Sequence, residues 1–289
     1  MNKNIIITGT NGYVGSHLAE SLERNGNTIQ RLSVRNSLWK NLSFSSVDTI
    51  IHTAALVHNN DPSAKLEDYF KVNTHLPIEL AKKAKEDGVH QFIFMSTMAV
   101  YGKDGEMEYI DEIKNPSDIH PITNYGISKA KAEEKLLKMN DEDFKIVIVR
   151  PPMIYGENSP GNFSRLKNVA KILPVIPKIN NKRSALYIKH LESYIKQLID
   201  RDYQGIYHPK DSFNFDTTEV ITEIRNSLKK KTILFPIPKF IYPYLSKVKI
   251  ISKLYGNLIY GNDLYLYETK LETEQQDFKT IINDIMNDR

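Results

Sequence analysis

A chain of 289 residues, 40% of them hydrophobic, is long enough for an open-sheet α/β unit with a smaller lobe beside it, and no stretch approaches the ~18 apolar residues of a membrane span. The absence of cysteine excludes disulfides, thiolate zinc sites and cysteine nucleophiles. A formal net charge of +4, read as spread along the chain, indicates no nucleic-acid surface; the first residues read as a strand with a glycine loop, unlike a signal peptide, so a cytoplasmic protein is expected.

Residues 4–15 read Asn-Ile-Ile-Ile-Thr-Gly-Thr-Asn-Gly-Tyr-Val-Gly. A short β-branched strand runs into glycines at 9, 12 and 15 and then into a helical stretch over 16–24. Glycine permits a tight turn and lets the backbone approach a pyrophosphate, while the helix N-terminus offers unpaired N–H donors. The spacing G-x-x-G-x-x-G departs from the G-x-G-x-x-G fingerprint, but its place between strand and helix meets the structural condition for nucleotide binding. Further strands are predicted over 28–34, 49–52, 92–96, 145–150 and 205–208, alternating with helices in the pattern of a parallel sheet. Residues 36–48 hold no convincing strand, so that edge of the sheet is expected to be trimmed.

A Ser96-Thr97 pair follows the apolar run at 92–95, and a helix predicted over 125–139 begins with Tyr125 and Lys129. A spacing of four puts the phenol and the ammonium on one helix face, able to act on one substrate atom. A free tyrosine titrates near ~10, and a neighbouring cation favours the phenolate, so the arrangement outlines a proton-transfer site. The segment 236–260 mixes Pro, Tyr, Phe, Ile and Leu with Lys239, Lys247, Lys249 and Lys253; it is read as a helical lid packed on the second lobe, in preference to a basic stretch lying on a membrane. His52, His58 and His120 lack metal-ligand spacing, so no metal is expected, and His58 is the histidine to test for substrate contact.

With these motifs in view, the chain resembles the extended short-chain dehydrogenase/reductase family of nucleotide-sugar enzymes over nearly its full length. The resemblance rests on the loop Thr8-Gly9-Thr10-Asn11-Gly12-Tyr13-Val14-Gly15, on Thr97, Tyr125 and Lys129, and on His52-Thr53-Ala54-Ala55, Val72-Asn73, Val100-Tyr101-Gly102 and Arg150-Pro151-Pro152-Met153-Ile154-Tyr155-Gly156. The stretches 54–60, 95–102 and 183–190 are similar to the bacterial capsule and O-antigen reductases, which reduce a UDP-linked 4-keto-6-deoxy-N-acetylhexosamine to UDP-N-acetyl-D-fucosamine or UDP-N-acetyl-D-quinovosamine.

The resemblance implies a Rossmann-type doubly wound parallel sheet built from 1–157 and 188–213, with a smaller α/β substrate lobe from 158–187 and 214–289. It implies that Gly9, Gly12 and Gly15 hold a dinucleotide pyrophosphate, that Asn11, Tyr13, Val14, Ala54 and Ala55 contact the cofactor, and that Pro151 lies near the nicotinamide. Tyr125 is expected to donate a proton to the C4 oxygen as hydride reaches the C4 carbon, Thr97 to hydrogen-bond that oxygen, and Lys129 to bind the nicotinamide ribose and tune Tyr125. Met98, Asn162 and Arg183 complete the expected substrate contacts, Arg183 at the phosphates. The aspartate usual after that arginine is replaced here, leaving His190.

Met98-Ala99 stands where the family's dehydratases carry Asp-Glu, so dehydration is not expected. Ser33 stands where its epimerases usually carry an aspartate for the adenosine ribose, with Arg31 and Arg35 close by. A hydroxyl and an arginine accept the 2′-phosphate that a carboxylate repels, which favours NADPH, with NADH possible, and a reductase over a 4-epimerase with bound NAD or a non-catalytic nucleotide-binding regulator. A homodimer is expected through helix 66–86 and the helix starting near Tyr125.

Overall fold

Runs such as Asn-Ile-Ile-Ile-Thr and Lys-Ile-Val-Ile-Val supply strands that are apolar without alternation, as a parallel sheet covered on both faces requires. The computed structural model describes residues 2–57, 65–268, 271 and 275–287. The first half runs β1 (Asn4–Thr8), α1 (Tyr13–Arg24), β2 (Thr28–Leu32), β3 (Thr49–His52), α2 (Leu66–Phe70), α3 (Leu76–Glu86), β4 (Gln91–Met95), β5 (Asp111–Ile113), α4 (Asn124–Leu137) and β6 (Lys145–Val149). The second runs β7 (Met153–Tyr155), α5 (Asn162–Ile172), β8 (Val175–Lys178), β9 (Ala185–Tyr187), α6 (Ile188–Asp200), β10 (Gly205–Tyr207), α7 (Thr217–Ser227), β11 (Ile233–Pro236), α8 (Tyr242–Leu245), α9 (Lys249–Tyr255), β12 (Leu258–Tyr260) and α10 (Phe278–Asn287).

Six strands form one parallel sheet in the order β10-β6-β4-β3-β1-β2. Every strand of it matches a predicted one, with ends moved by one or two residues. The strand order reverses at β1, which pairs with β2 on one side and β3 on the other, so a crevice opens at the carboxyl ends of β1 and β3 where open α/β sheets bind ligands. Alternation along β1 sends Ile5 and Ile7 into one hydrophobic cluster with Leu18 and Leu22 of α1, and Ile6 into the other with Leu80 of α3 and Leu136 of α4. The sheet is therefore covered on both faces.

The trimmed edge is present, since β2 ends the sheet and a single 3₁₀ turn over Ser37–Asn41 follows it. That turn buries Trp39 against the cluster containing Leu32 and Phe44, so the short segment still closes this end of the crevice.

Much of the second lobe's core is continuous with that of the first. One cluster runs from β1, β4 and β6 through α6 to Phe163 of α5, Ile221 of α7 and Ile281 of α10. Residues assigned above to the first lobe also cross over: β5 pairs with β12, and Glu106 bridges to Asn257. Within 236–260, Tyr242 and Tyr255 pack with Met107 and Ile179, as a lid on the lobe would, while Phe240, Tyr244 and Val248 stay exposed.

Candidate active site

The glycine loop lies where β1 ends at the crevice. Gly9 has φ +73, and a Cβ there would stand 2.6 Å from the Ala54 backbone nitrogen; a Cβ at Gly15 would stand 2.4 Å from the Gly9 carbonyl oxygen. Both glycines are required by close approach, Gly9 also by its left-handed backbone. Gly12 caps α1 without a side-chain hydrogen bond, so no side chain occupies the first-turn N–H groups of that helix. A cavity of about 1160 Å³ opens here, lined by Gly9, Asn11, Gly12, Tyr13, Val14, Gly15, Ser33, Arg35, Ala54 and Ala55 among others, which are all the expected dinucleotide contacts except Lys129 and Pro151. The tight glycine packing and the open helix end fit a dinucleotide pyrophosphate.

At the far end of this cavity Arg31 is engaged by Glu23 at 2.9 Å and Lys40 by Glu79 at 2.7 Å. Ser33 and Arg35 are exposed, and Arg35 makes no ion pair among the described residues. Glu79 is the acidic residue of the lining, and Lys40 neutralises it.

Thr97 caps the short turn Met98–Tyr101, its hydroxyl accepting from Ala99 N at 3.1 Å, and Thr123 caps α4 by accepting from Gly126 N at 3.0 Å. These caps bring Tyr125 to Thr97. Burial pushes the Tyr125 phenol up to about 12, and its hydrogen bond with Thr97 pulls the other way. The Lys129 ammonium is engaged away from the phenol. It turns inward, donates to the Met95 carbonyl at 2.7 Å and lies 4.2 Å from the Phe94 ring centre, and burial lowers its pKa to about 7 while Glu133 raises it. His52 lies behind it with Nδ1 3.0 Å from the Thr8 hydroxyl, held neutral by burial and by Lys129, its pKa lowered to about 3.

One turn beyond Lys129, Glu133 receives Arg150 through Nη2 at 2.6 Å and Nε at 3.1 Å, and also accepts from the Ser96 hydroxyl. Arg150 Nη1 donates to Tyr101 Oη and to the Pro116 carbonyl, each at 2.7 Å, and Tyr101 Oη lies 2.7 Å from His208 Nε2. This sealed network ties α4 to β4, β6 and the C-terminal part, and fixes the helix that carries Tyr125. Asn73 does similar work on the other side. It sits in a π turn over Lys71–His75, pairs with both backbone groups of Leu56 at 2.8 and 2.9 Å, and donates to the Ser128 hydroxyl at 3.0 Å. Glu133 carried no signal in sequence beyond its i+4 spacing from Lys129; Asn73 and Arg150 stood in the quoted motifs without an assigned role.

The remaining expected contacts lie elsewhere. Pro151 is buried, its carbonyl accepting from Met98 N at 2.9 Å, and the Met98 side chain is packed with Val100, Tyr101, Ile113 and Leu258, away from the cavity. Asn162 opens α5, and Arg183 donates to the Gly256 carbonyl at 3.0 Å and the Asp104 carbonyl at 3.3 Å. His190 is a buried structural residue: Gln276 N donates to its Nε2 at 3.0 Å, so its Nδ1 carries the proton given to Asp211 at 2.8 Å. His58 falls outside the described residues.

Solved structures share this fold. dTDP-4-dehydrorhamnose reductase from Bacillus anthracis in complex with NADP superposes with a TM-score of 0.72 at 18% identity, covering 100% of both chains. UDP-N-acetylglucosamine 4-epimerase from Bacillus cereus superposes with a TM-score of 0.73 at 18% identity, covering 99% of this chain and 100% of that one. Among sequences, a UDP-glucose 4-epimerase of Vibrio cholerae is 30% identical over 89% of this chain and 87% of its own length. The N-acetyl-alpha-D-glucosaminyl-diphospho-ditrans,octacis-undecaprenol 4-epimerase of Escherichia coli O157:H7 is 27% identical over 84% of this chain and 76% of its own. The profile of the NAD dependent epimerase/dehydratase family matches residues 5–197, from the first strand through most of α6, and the chain belongs to that family of NAD(P)-dependent enzymes.

Proposed function

We propose that the protein is an NADPH-dependent reductase of the C4 ketone of a UDP-linked 4-keto-6-deoxy-N-acetylhexosamine, acting in the cytoplasm on precursors of capsule or O-antigen polysaccharide. The observation that carries this reading is the ribose end of the cavity, where Ser33 stands with Arg35, unpaired among the described residues, and the lining carboxylate, Glu79, is neutralised by Lys40. Such an end accepts a 2′-phosphate, and a one-way reductase must draw its cofactor from a reduced pool at every turnover.

A nicotinamide dinucleotide bound in the cavity supplies the hydride. Tyr125 supplies the proton: a phenol pushed up to about 12 is fully protonated at neutral pH and so is ready as an acid. Thr97, close enough to Tyr125 to pull its pKa down, offers a second polar group to the oxygen on which negative charge develops. Met98, with its side chain in an apolar cluster, and Ala99 offer no second acid or base for eliminating water. Lys129, freed from the Met95 carbonyl, reaches the ribose in this reading. Asn162 and Arg183 face the UDP moiety, and the homodimer expected through α2, α3 and α4 belongs to the same proposal.

The second reading is a 4-epimerase of UDP-hexoses or UDP-N-acetylhexosamines with bound NAD, favoured by the name of the Vibrio cholerae relative. The two part in one experiment. Purified protein given NADPH and the keto sugar should oxidise NADPH in step with product assigned by NMR. Interconversion of UDP-hexoses with no added cofactor, and no NADPH oxidation on the keto sugar, would replace the reductase by the epimerase.

A further inference from the structure

The small net charge hides a segregation. Residues 158–191 and 224–262, which build most of the second lobe, contain fifteen of the chain's 39 Lys and Arg and none of its 35 Asp and Glu. Within the same segments large apolar side chains stand in solvent: Ile172 is 75% exposed, Phe240 76%, Tyr244 69%, Ile233 61% and Phe235 58%. Single exposed apolar residues are ordinary, but these belong to neighbouring elements. β11 is exposed at all four positions and pairs, among the described residues, with β8 alone, so its other edge is open. Ile233 N donates to the Pro174 carbonyl at 2.8 Å, Lys230 Nζ to the Lys171 carbonyl at 2.6 Å, and Lys178, Pro236, Lys239 and Tyr242 line one cavity of about 910 Å³, whose acidic members, Glu108, Asp216 and Glu219, come from outside these two segments. The end of α5, the β8–β11 ribbon and the start of α8 therefore share a surface.

We infer that this surface docks on an anionic lipid bilayer, peripherally, and independently of which sugar the enzyme reduces. Lys229, Lys230, Lys231, Lys239 and Lys247 are exposed and form no ion pair among the described residues, so their charge is available to an external partner. Lysines interleaved with Ile and Phe match a boundary where headgroups carry negative charge and acyl chains lie just beneath. A second copy of this chain fits less well. A two-fold interface would bring together two copies of the same patch, and neither segment holds an acidic residue to offset its lysines. No helix among the described residues is long and apolar enough to cross a membrane, so the contact is with the surface.

The test is flotation of the full chain with vesicles of phosphatidylcholine and with vesicles of equal parts phosphatidylcholine and phosphatidylglycerol. Binding is expected to the mixed vesicles only, weakening with salt. Each lysine near such a surface contributes roughly fivefold, so Lys229→Glu, Lys230→Glu and Lys231→Glu together should lower partitioning about a hundredfold or more. Phe235→Ser with Phe240→Ser should lower it about tenfold at unchanged thermal midpoint. Failure to float with the mixed vesicles, or equal, salt-insensitive flotation with both, overturns the proposal. So does a dimer in sedimentation that the same lysine substitutions dissolve, which assigns the surface to a second copy.

Discussion

Lys129 and Glu133 lie one turn apart on α4, both sealed from solvent, and their surroundings treat charge in opposite ways. Glu133 meets a guanidinium through two nitrogens and a hydroxyl besides, and Arg150 has its remaining donors filled by Tyr101 and a carbonyl. Its guanidinium is held above its ordinary pKa by that carboxylate, against the effect of burial. Lys129 has a carbonyl and an aromatic face but, among the described residues, no carboxylate paired with its ammonium, and burial brings its pKa down to about 7. The helix is thus clamped at one turn by a completed network and left electrostatically unfinished at the turn before it. An unfinished buried cation is where a ligand can still contribute, whereas the completed pair can only position what it holds.

The largest effect should come from the reacting end of the stripe. Tyr125→Phe should lower kcat by roughly two to four orders of magnitude with NADPH binding retained, and Thr97→Ser should keep most activity because the hydroxyl remains. Near wild-type turnover by Tyr125→Phe in stopped-flow NADPH oxidation would show that the proton comes from elsewhere.

Next comes the completed pair. Glu133→Ala leaves the Arg150 charge buried without its carboxylate, and should cost about 3–5 kcal/mol in urea unfolding. A loss below about 1 kcal/mol would mean that the network is not what holds α4.

The unfinished cation should respond with the opposite sign. The folded pKa of Lys129, about 7, lies below its ordinary value of 10.5, so the unfolded chain binds more protons between these pH values and stability rises with pH across that window. Lys129→Met removes this penalty, so the cofactor-free protein should gain a few kcal/mol, roughly, at and below pH 7, with the gain fading towards pH 10. The same change should weaken NADPH binding. A Lys129→Met protein no more stable than wild type at pH 6 would sink the contrast between the two turns.

The smallest effect is at the ribose end. Arg35→Ala should raise the KM for NADPH by roughly tenfold and leave that for NADH nearly unchanged, since charge-assisted contacts contribute about 1.5–3 kcal/mol. Equal changes for both cofactors would remove the 2′-phosphate from the account of Ser33 and Arg35.

What was legible in sequence had local causes. An isoleucine run, glycines three apart and a helix in direct succession suffice for β1, the loop and α1, because each depends on its own residues and near neighbours. The one-face placement of Tyr125 and Lys129 follows from helical period alone, as does the trimmed edge from the want of a β-branched run between β2 and β3. The expected dinucleotide contacts other than Lys129 and Pro151 were readable for the same reason, and one cavity gathers them.

Only the tertiary structure decided the state of those groups. The charge on Lys129 depends on a carbonyl at Met95 and a ring at Phe94, the inward turn of Met98 on Ile113 and Leu258, and the structural role of His190 on Asp211 and Gln276. The second lobe shows the same limit: apolar residues of 236–260 read alike in sequence, yet Tyr242 is buried and Tyr244 is in water. Spacing specifies which face of an element a residue shares, but desolvation and pairing are set by atoms from distant parts of the chain, and it is these that move a pKa or leave a side chain exposed.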